Sequence, residues 1–229
     1  MSEQIRQMFS DISQDYDKMN DILSFRLHHL WRKNVVKFAE LKPDFKVLDC
    51  ASGTGDLAIE FKMKLNQQSE VIATDFCKEM LDFIEPKAKK ANVDLNVQIA
   101  DVMNLQFEDN YFDIASISFG IRNVDEPIIG LKEMARVVKS NGKVIILETG
   151  QPNGLNKLFY NIYGKYIMPM LGNIFAKNKS AYTYLPQTAS KFPYGDEFVK
   201  LMQKTNSFSE IAYYPQTFGV SYIYVGIVK

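Results

Sequence analysis

The residues Asp49-Cys50-Ala51-Ser52-Gly53-Thr54-Gly55-Asp56 carry the first chemistry legible in this chain. The apolar run Val47-Leu48 leads into an acid, then a glycine turn, then an amphipathic continuation, which reads as strand, turn and helix start. Glycine at such a turn permits left-handed backbone angles and lets a ligand approach the main chain, so the turn is a nucleotide cradle. About twenty residues on, Val71-Ile72-Ala73-Thr74-Asp75 is a second apolar strand ending in an acid, at the spacing from which a carboxylate reaches ribose hydroxyls. Asp101-Val102 follows the alternating run Val93–Ile99, and Asp101 is placed to accept from an adenine amino group or to cap a turn.

Two cofactor classes use this design. Gly53, Gly55 and Ala58 satisfy the dinucleotide pattern G-x-G-x-x-G/A, and Asp49, Ala51, Gly53 and Gly55 satisfy the looser Asp-x-Ala-x-Gly-x-Gly of S-adenosylmethionine sites. Charge separates them. A pyrophosphate needs backbone N–H groups and a positive helix end, whereas Asp49 and Asp56 would repel it and suit a ligand carrying an ammonium and a sulfonium. The methyl donor is therefore the expected ligand.

The elements that must position these residues alternate. Helices are expected over Glu3–Tyr16 and Phe25–Glu40, and strands over Lys46–Cys50, Val71–Asp75, Asp94–Ile99, Ile114–Ser118 and Val144–Thr149, with helical segments between them. The period-two run at 93–99 reads as a half-buried strand. Farther on, a helical insertion is expected over Asn156–Phe175, a helix over Glu197–Thr205, and a strand pair over Ile211–Tyr214 and Val220–Val228 at the sheet edge. This is an α/β, Rossmann-like pattern: a mostly parallel seven-stranded sheet with one antiparallel edge strand and helices on both faces. It divides as a helical cap (1–42), a binding core (43–150), a helical insertion (151–195) and a closing helix and strand pair (196–229), all one domain.

Composition agrees. A chain of 229 residues with 46% hydrophobic content can bury one sizeable core. Lys+Arg and Asp+Glu are 27 each, so no broad basic bias attracts nucleic acid. Cys50 and Cys77 form no metal or redox spacing and read as buried thiols in a reducing cytoplasm. There is no apolar signal core at the N-terminus and no run of 18 apolar residues, so the expected location is cytoplasmic.

The chain resembles the class I S-adenosylmethionine-dependent methyltransferases, and within them the UbiE/MenG-type C-methyltransferases of menaquinone and ubiquinone biosynthesis. The resemblance rests on Tyr16-Asp17-Lys18-Met19-Asn20-Asp21 with Leu27–Arg32, on the donor loop Leu48–Asp56, on Ile117–Val124, on Tyr182–Leu185 and on Gly219-Val220, and spans nearly the whole chain. It implies donor contacts from Thr54, Asp75, Asp101, Val102 and Ser118. It also implies a reduced, polyprenylated quinol as acceptor, methylated on a ring carbon. Arg122 would stabilise the oxyanion that activates that carbon, and Asn123 would orient the ring. Tyr16 would offer a stacking face and a hydroxyl. His28 titrates near neutrality and is the candidate base, although beside Trp31 on a helix a packing role is favoured. The aromatic and methionine-rich runs Leu158–Tyr163 and Tyr166–Leu171 would cover the isoprenoid tail or make a peripheral contact at the inner face of the membrane, although packing on the sheet is favoured over membrane contact.

Departures from the family touch the acceptor side. Glycine often stands where this chain has Arg26, Met-His-Pro where it has Lys191-Phe192-Pro193, and the segment Thr149-Gly150-Gln151-Pro152 is unusual. Composition leans toward menaquinone. Alternatives are a ubiquinone precursor, another small molecule, a nucleic-acid or protein N-methyltransferase (disfavoured by the lack of an Asn-Pro-Pro-Tyr motif after the fourth strand), and a donor-binding module without turnover. A homodimer stays open, because no residue pattern selects an oligomeric state.

Overall fold

The computed structural model describes residues 3–152, 163–164, 188–189 and 191–229. The insertion expected over 156–175 lies outside these residues except for Tyr163 and Gly164, and the run Tyr182–Leu185 lies outside them entirely. The strands are β1 (Val47–Cys50), β2 (Val71–Asp75), β3 (Asn96–Ile99), β4 (Phe112–Ser118), β5 (Val138–Thr149), β6 (Phe208–Gln216) and β7 (Ser221–Val228). They form one sheet in the order β3-β2-β1-β4-β5-β7-β6. The pairs among β1–β5 are parallel, and β7 runs antiparallel to both β5 and β6. The single antiparallel strand is thus β7, seated one place in from the edge that β6 forms.

Period two sorts the core into two layers. Leu48, Cys50, Ala115, Ile117, Val144 and Ile146 face one layer, together with Tyr222 and Tyr224. Val47, Ile114, Ile145, Leu147, Ile223 and Val225 face the other, against α3 (Leu27–Ala39) and α4 (Asp56–Lys64). Helix α7 (Pro127–Val137) packs against β4 and β5 in the first layer, and α8 (Asp196–Gln203) buries Phe198 and Met202 beside β6. Both cysteines are buried and free. The remaining helices are α1 (Glu3–Ile12), α2 (Tyr16–Leu23), α5 (Lys78–Leu81) and α6 (Ile84–Ala91).

Two expectations are corrected. The first helix does not run through Tyr16. The Ser13 hydroxyl donates to the Ser10 carbonyl at 2.9 Å, Asp15 N–H donates to Ile12 O at 3.0 Å, and the chain turns before α2. Strand β3 is not half-buried: all four residues are exposed, with Ile99 at 61%. As the edge strand beside β2, it has alternating residue types without a covering layer among the described residues.

The sheet order reverses between β1 and β4, so a crevice opens beyond their carboxyl ends. The turn entering it is tight. Ala51, Gly53 and Gly55 take φ of 47°, 57° and 83°. A Cβ on Gly55 would meet Ile84 Cγ1 at 2.8 Å. Gly55→Ala is therefore expected to lower stability by about 2 kcal/mol, through left-handed backbone and overpacking against α6, as a urea-unfolding series would register.

Candidate active site

The crevice becomes a cleft lined by Phe9, Tyr16, Ala51, Gly53, Asp75, Met80, Ser118, Phe119, Gly120 and Asn123. Of the residues expected from sequence, Tyr16, Ala51, Gly53, Asp75, Ser118 and Asn123 meet there. Asp49, Thr54, Gly55, Asp101, Val102, Arg122 and His28 lie outside that lining.

Asp75 ends β2 and organises the turn. Its Oδ2 accepts the Gly53 N–H at 2.8 Å, and its Oδ1 accepts the Cys77 N–H at 2.8 Å. Burial raises its pKa, and the backbone N–H groups of Cys77, Gly53 and Phe76 pull it back. Asp49 lies in β1, 1% exposed, and its Oδ1 accepts the Ser116 hydroxyl at 2.7 Å. Burial pushes this carboxyl up to about 6, opposed by the hydroxyls of Ser116 and Ser52. Among the described residues its Oδ2 has no partner, and neither has the buried Ser118 Oγ on the cleft wall. Buried polar atoms are costly to leave unmade, so the Ser118 hydroxyl in the lining suits a polar ligand. Close approach is also provided for: a Cβ on Gly120 would stand 2.7 Å from Ala51 Cβ.

Asp56 does not contribute the charge expected of it. It pairs with Arg32 at 2.9 Å and with Lys87, which hold its pKa low against burial. Lys87 also bonds Asp17 at 2.8 Å and Thr54 Oγ1 at 3.0 Å, and Thr54 donates to Asp17 at 2.5 Å. Thr54 is thus tied to α2. This chain of charges fastens the N-terminal helices over the glycine turn. The charge that excludes a pyrophosphate rests instead on Asp49 and Asp75, neither ion-paired among the described residues. S-adenosylmethionine fits this set: carboxylates without cations, an unmet hydroxyl in the lining and a glycine-bounded gap.

Asp101 Oδ1 accepts the Met103 N–H at 3.0 Å in a turn after β3, and Val102 is buried in the core. Arg122 follows β4 in a short helical turn, Ile121–Asn123. Its Nη1 donates to Glu148 Oε1 at 2.6 Å and to Phe119 O at 2.8 Å. The side chains are 7% and 1% exposed, making a buried ion pair one residue before Asn123 in the chain. Among the described residues Arg122 Nε and Glu148 Oε2 have no partners.

His28 is buried in α3. Its Nε2 lies 2.9 Å from Asp21 Oδ1, and Arg32 Nη1 bonds its Nδ1. Guanidinium only donates, so Nδ1 accepts and Nε2 carries the proton to Asp21. His29 Nε2 reaches the same oxygen at 2.7 Å. Burial, then Arg32, holds His28 at about 4. The unfolded histidine takes up a proton below about 6.5 while the folded one does not, so its contribution to stability is complete above that pH and is lost as pH falls toward about 4. Wild type is expected to lose on the order of 2–3 kcal/mol relative to His28→Gln across that window, in denaturation at matched pH values.

Strand order, glycine turn and strand-end acids define the class I methyltransferase fold. An S-adenosylmethionine-dependent methyltransferase of Thermotoga maritima superposes with a TM-score of 0.68 over 97% of this chain and 99% of its own, at 20% identity. The description "ubiE/COQ5 methyltransferase family" matches residues 1–228, and the chain belongs to that family. It is 48% identical to the ubiquinone/menaquinone biosynthesis C-methyltransferase UbiE of Bdellovibrio bacteriovorus, over 99% of this chain and 97% of the relative. It is 40% identical to the demethylmenaquinone methyltransferase of Staphylococcus carnosus, over 98% and 92%.

Proposed function

We propose that the protein transfers a methyl group from S-adenosylmethionine to a ring carbon of a reduced prenylated quinone, with demethylmenaquinol as the acceptor. One observation carries this: the donor-side residues Gly53, Asp75 and Ser118 and the acceptor-side residues Tyr16 and Asn123 line the same cleft. The names of the relatives support the quinone class. When bound, S-adenosylmethionine supplies an electrophilic methyl on a sulfonium.

The chain's own residues would do the rest. Asp75 holds Gly53 in place and keeps lone pairs for ribose hydroxyls. Ser118 would offer its hydroxyl oxygen to the cationic end, and Asp49, buried in β1, would add negative potential behind it. Burial raises the Tyr16 phenol above its ordinary range, so at neutral pH it donates a hydrogen bond rather than accepting a proton. Tyr16 and Asn123 would stabilise the acceptor's phenolate, lowering its pKa and enriching the adjacent ring carbon. Arg122, held by Glu148, would set Asn123 and add positive potential behind it. Phe9, Met80 and Phe119 would exclude water and align the ring. His28, with both nitrogens engaged away from the lining, takes the packing role.

The test is incubation with methyl-labelled S-adenosylmethionine and chemically reduced demethylmenaquinone, beside a reduced ubiquinone precursor. Label on the naphthoquinol ring is the expected result. Donor binding with no label on either ring would overturn the quinone assignment.

A further inference from the structure

Two phenylalanines are held out into solvent by backbone that bulky residues avoid. Phe25 is 68% exposed and Phe218 78%. Their φ angles are 49° and 58°, and their neighbours Arg26 and Thr217 are left-handed too, at 62° and 44°. Non-glycine residues take this conformation at a cost, and here it turns two aromatic rings outward.

Both residues adjoin the N-terminal part of α3: Phe25 two positions before Leu27, Phe218 next to the Thr217 that Trp31 bonds. The end of β6 runs along that helix in steps: Tyr214 stacks on Phe38 at 4.1 Å, Asn34 Nδ2 donates to Gln216 Oε1 at 2.7 Å, and Trp31 Nε1 donates to Thr217 Oγ1 at 2.8 Å. These steps run toward the N-terminal end of α3; Phe218 directly follows Thr217, and Leu30, next to Trp31, is 52% exposed. Tyr163 packs its ring 5.6 Å from Phe25 and donates to Leu23 O at 2.7 Å, yet leaves Phe25 mostly open. Positions 26, 30, 33 and 37 share a helical face, and Arg26, Lys33 and Lys37 are exposed on it. Arg26 has only a loose contact with Asp21, at 3.8 Å, and neither lysine is ion-paired among the described residues.

Apolar rings framed by cations are the chemistry of a surface that enters the boundary of an anionic bilayer. A two-fold contact between copies would set these cations against themselves, which disfavours a second copy as the occupant. No helix among the described residues is long and apolar enough to cross a membrane, so the surface would lie on the bilayer. Trp31, beneath this patch, has its ring 6.0 Å from Phe119 on the cleft wall. The patch and the cleft are one layer of side chains apart.

We propose that Phe25, Arg26, Leu30, Lys33, Lys37 and Phe218 form a docking surface for bilayers with anionic headgroups. The docking itself stands on this geometry; its purpose, loading a lipid-borne acceptor into the cleft, rests on the quinol reading. The test is vesicle flotation with phosphatidylcholine alone and with equimolar phosphatidylcholine and phosphatidylglycerol. Wild type is expected to float with the anionic vesicles and to be released by salt. Phe25→Asn/Phe218→Asn should reduce the bound fraction at least about tenfold without lowering the thermal midpoint, because asparagine tolerates left-handed backbone. Lys33→Glu/Lys37→Glu should abolish the preference for phosphatidylglycerol. Wild type that stays unbound, or a double asparagine variant that floats like wild type, overturns the proposal. So does a wild-type dimer that this variant converts to monomer in sedimentation velocity. Methyl transfer to a short-chain, detergent-dispersed demethylnaphthoquinol, without vesicles, is measured alongside. Transfer without flotation sinks the docking surface and leaves the quinol reading standing, whereas flotation without transfer does the reverse.

Discussion

Asp75→Ala is expected to weaken S-adenosylmethionine binding at least about 100-fold and to lower stability by about 2–4 kcal/mol, since two charge-assisted bonds worth about 1.5–3 kcal/mol each are lost while the desolvation cost of the buried carboxylate is relieved. Both carboxylate oxygens accept backbone N–H groups at 2.8 Å, one of them from Gly53 in the turn itself. Alanine leaves those donors unmet in a buried place and releases the turn from its left-handed shape. The effect is therefore larger than loss of a ribose contact alone. Asp75→Asn keeps one acceptor but turns an amide N–H₂ toward a backbone N–H, so it should rescue stability only in part. Isothermal titration and urea unfolding separate the two effects. A variant that binds the donor as tightly as wild type would remove Asp75 from the cofactor site.

Glu148→Ala should cost about 3–5 kcal/mol of stability, the range for stripping the partner from a buried charge. Arg122 is the charge left behind, with Phe119 O as its remaining acceptor. Arg122→Leu is expected to destabilise less, because it leaves the buried carboxylate without its cation but with the Thr149 N–H and hydroxyl still donating to Oε1 at 2.7 and 3.0 Å. The double variant Arg122→Leu/Glu148→Leu should recover much of that loss, because a buried pair repays little more than its own desolvation. It should nonetheless stay inactive, since Asn123 would lose the cation behind it. A double-mutant cycle read by both unfolding and methyl transfer checks this. Recovery of activity with stability would reduce the pair to a packing element.

Glu148 also shows where sequence reading stopped short. Asp49 and Asp75 are legible because each closes an apolar strand beside a glycine turn or at a ribose spacing. Glu148 closes β5 in the same manner, in the run Val144–Thr149, but no turn motif follows it to assign a role. Its importance comes from the register of β4 with β5, which sets Ser118 beside Leu147 and delivers Arg122 to the next residue. The strands were readable because apolar runs and acids mark them, and the core faces because period two sorts them. Asp56 was legible as an acid at a helix start, but not as a neutralised one: its partners Arg32 and Lys87 come from helices on either side. Phe9 and Met80 gave no local signal, because they enter the cleft through packing of α1 and α5. The exposure of β3 was hidden for the opposite reason: alternation implies a covered face, and sheet order decides whether anything covers it.

The charges linking Arg32, Asp56, Lys87 and Asp17 to Thr54 have a kinetic consequence. Phe9 and Tyr16 wall the cleft from α1 and α2, while the turn beneath belongs to the sheet, and this chain of pairs is the clasp between them. Exchange of spent donor for fresh must work against the clasp. The residence time of the demethylated product then becomes a property of ionic strength: screening loosens the clasp and shortens each dwell, and low salt lengthens it.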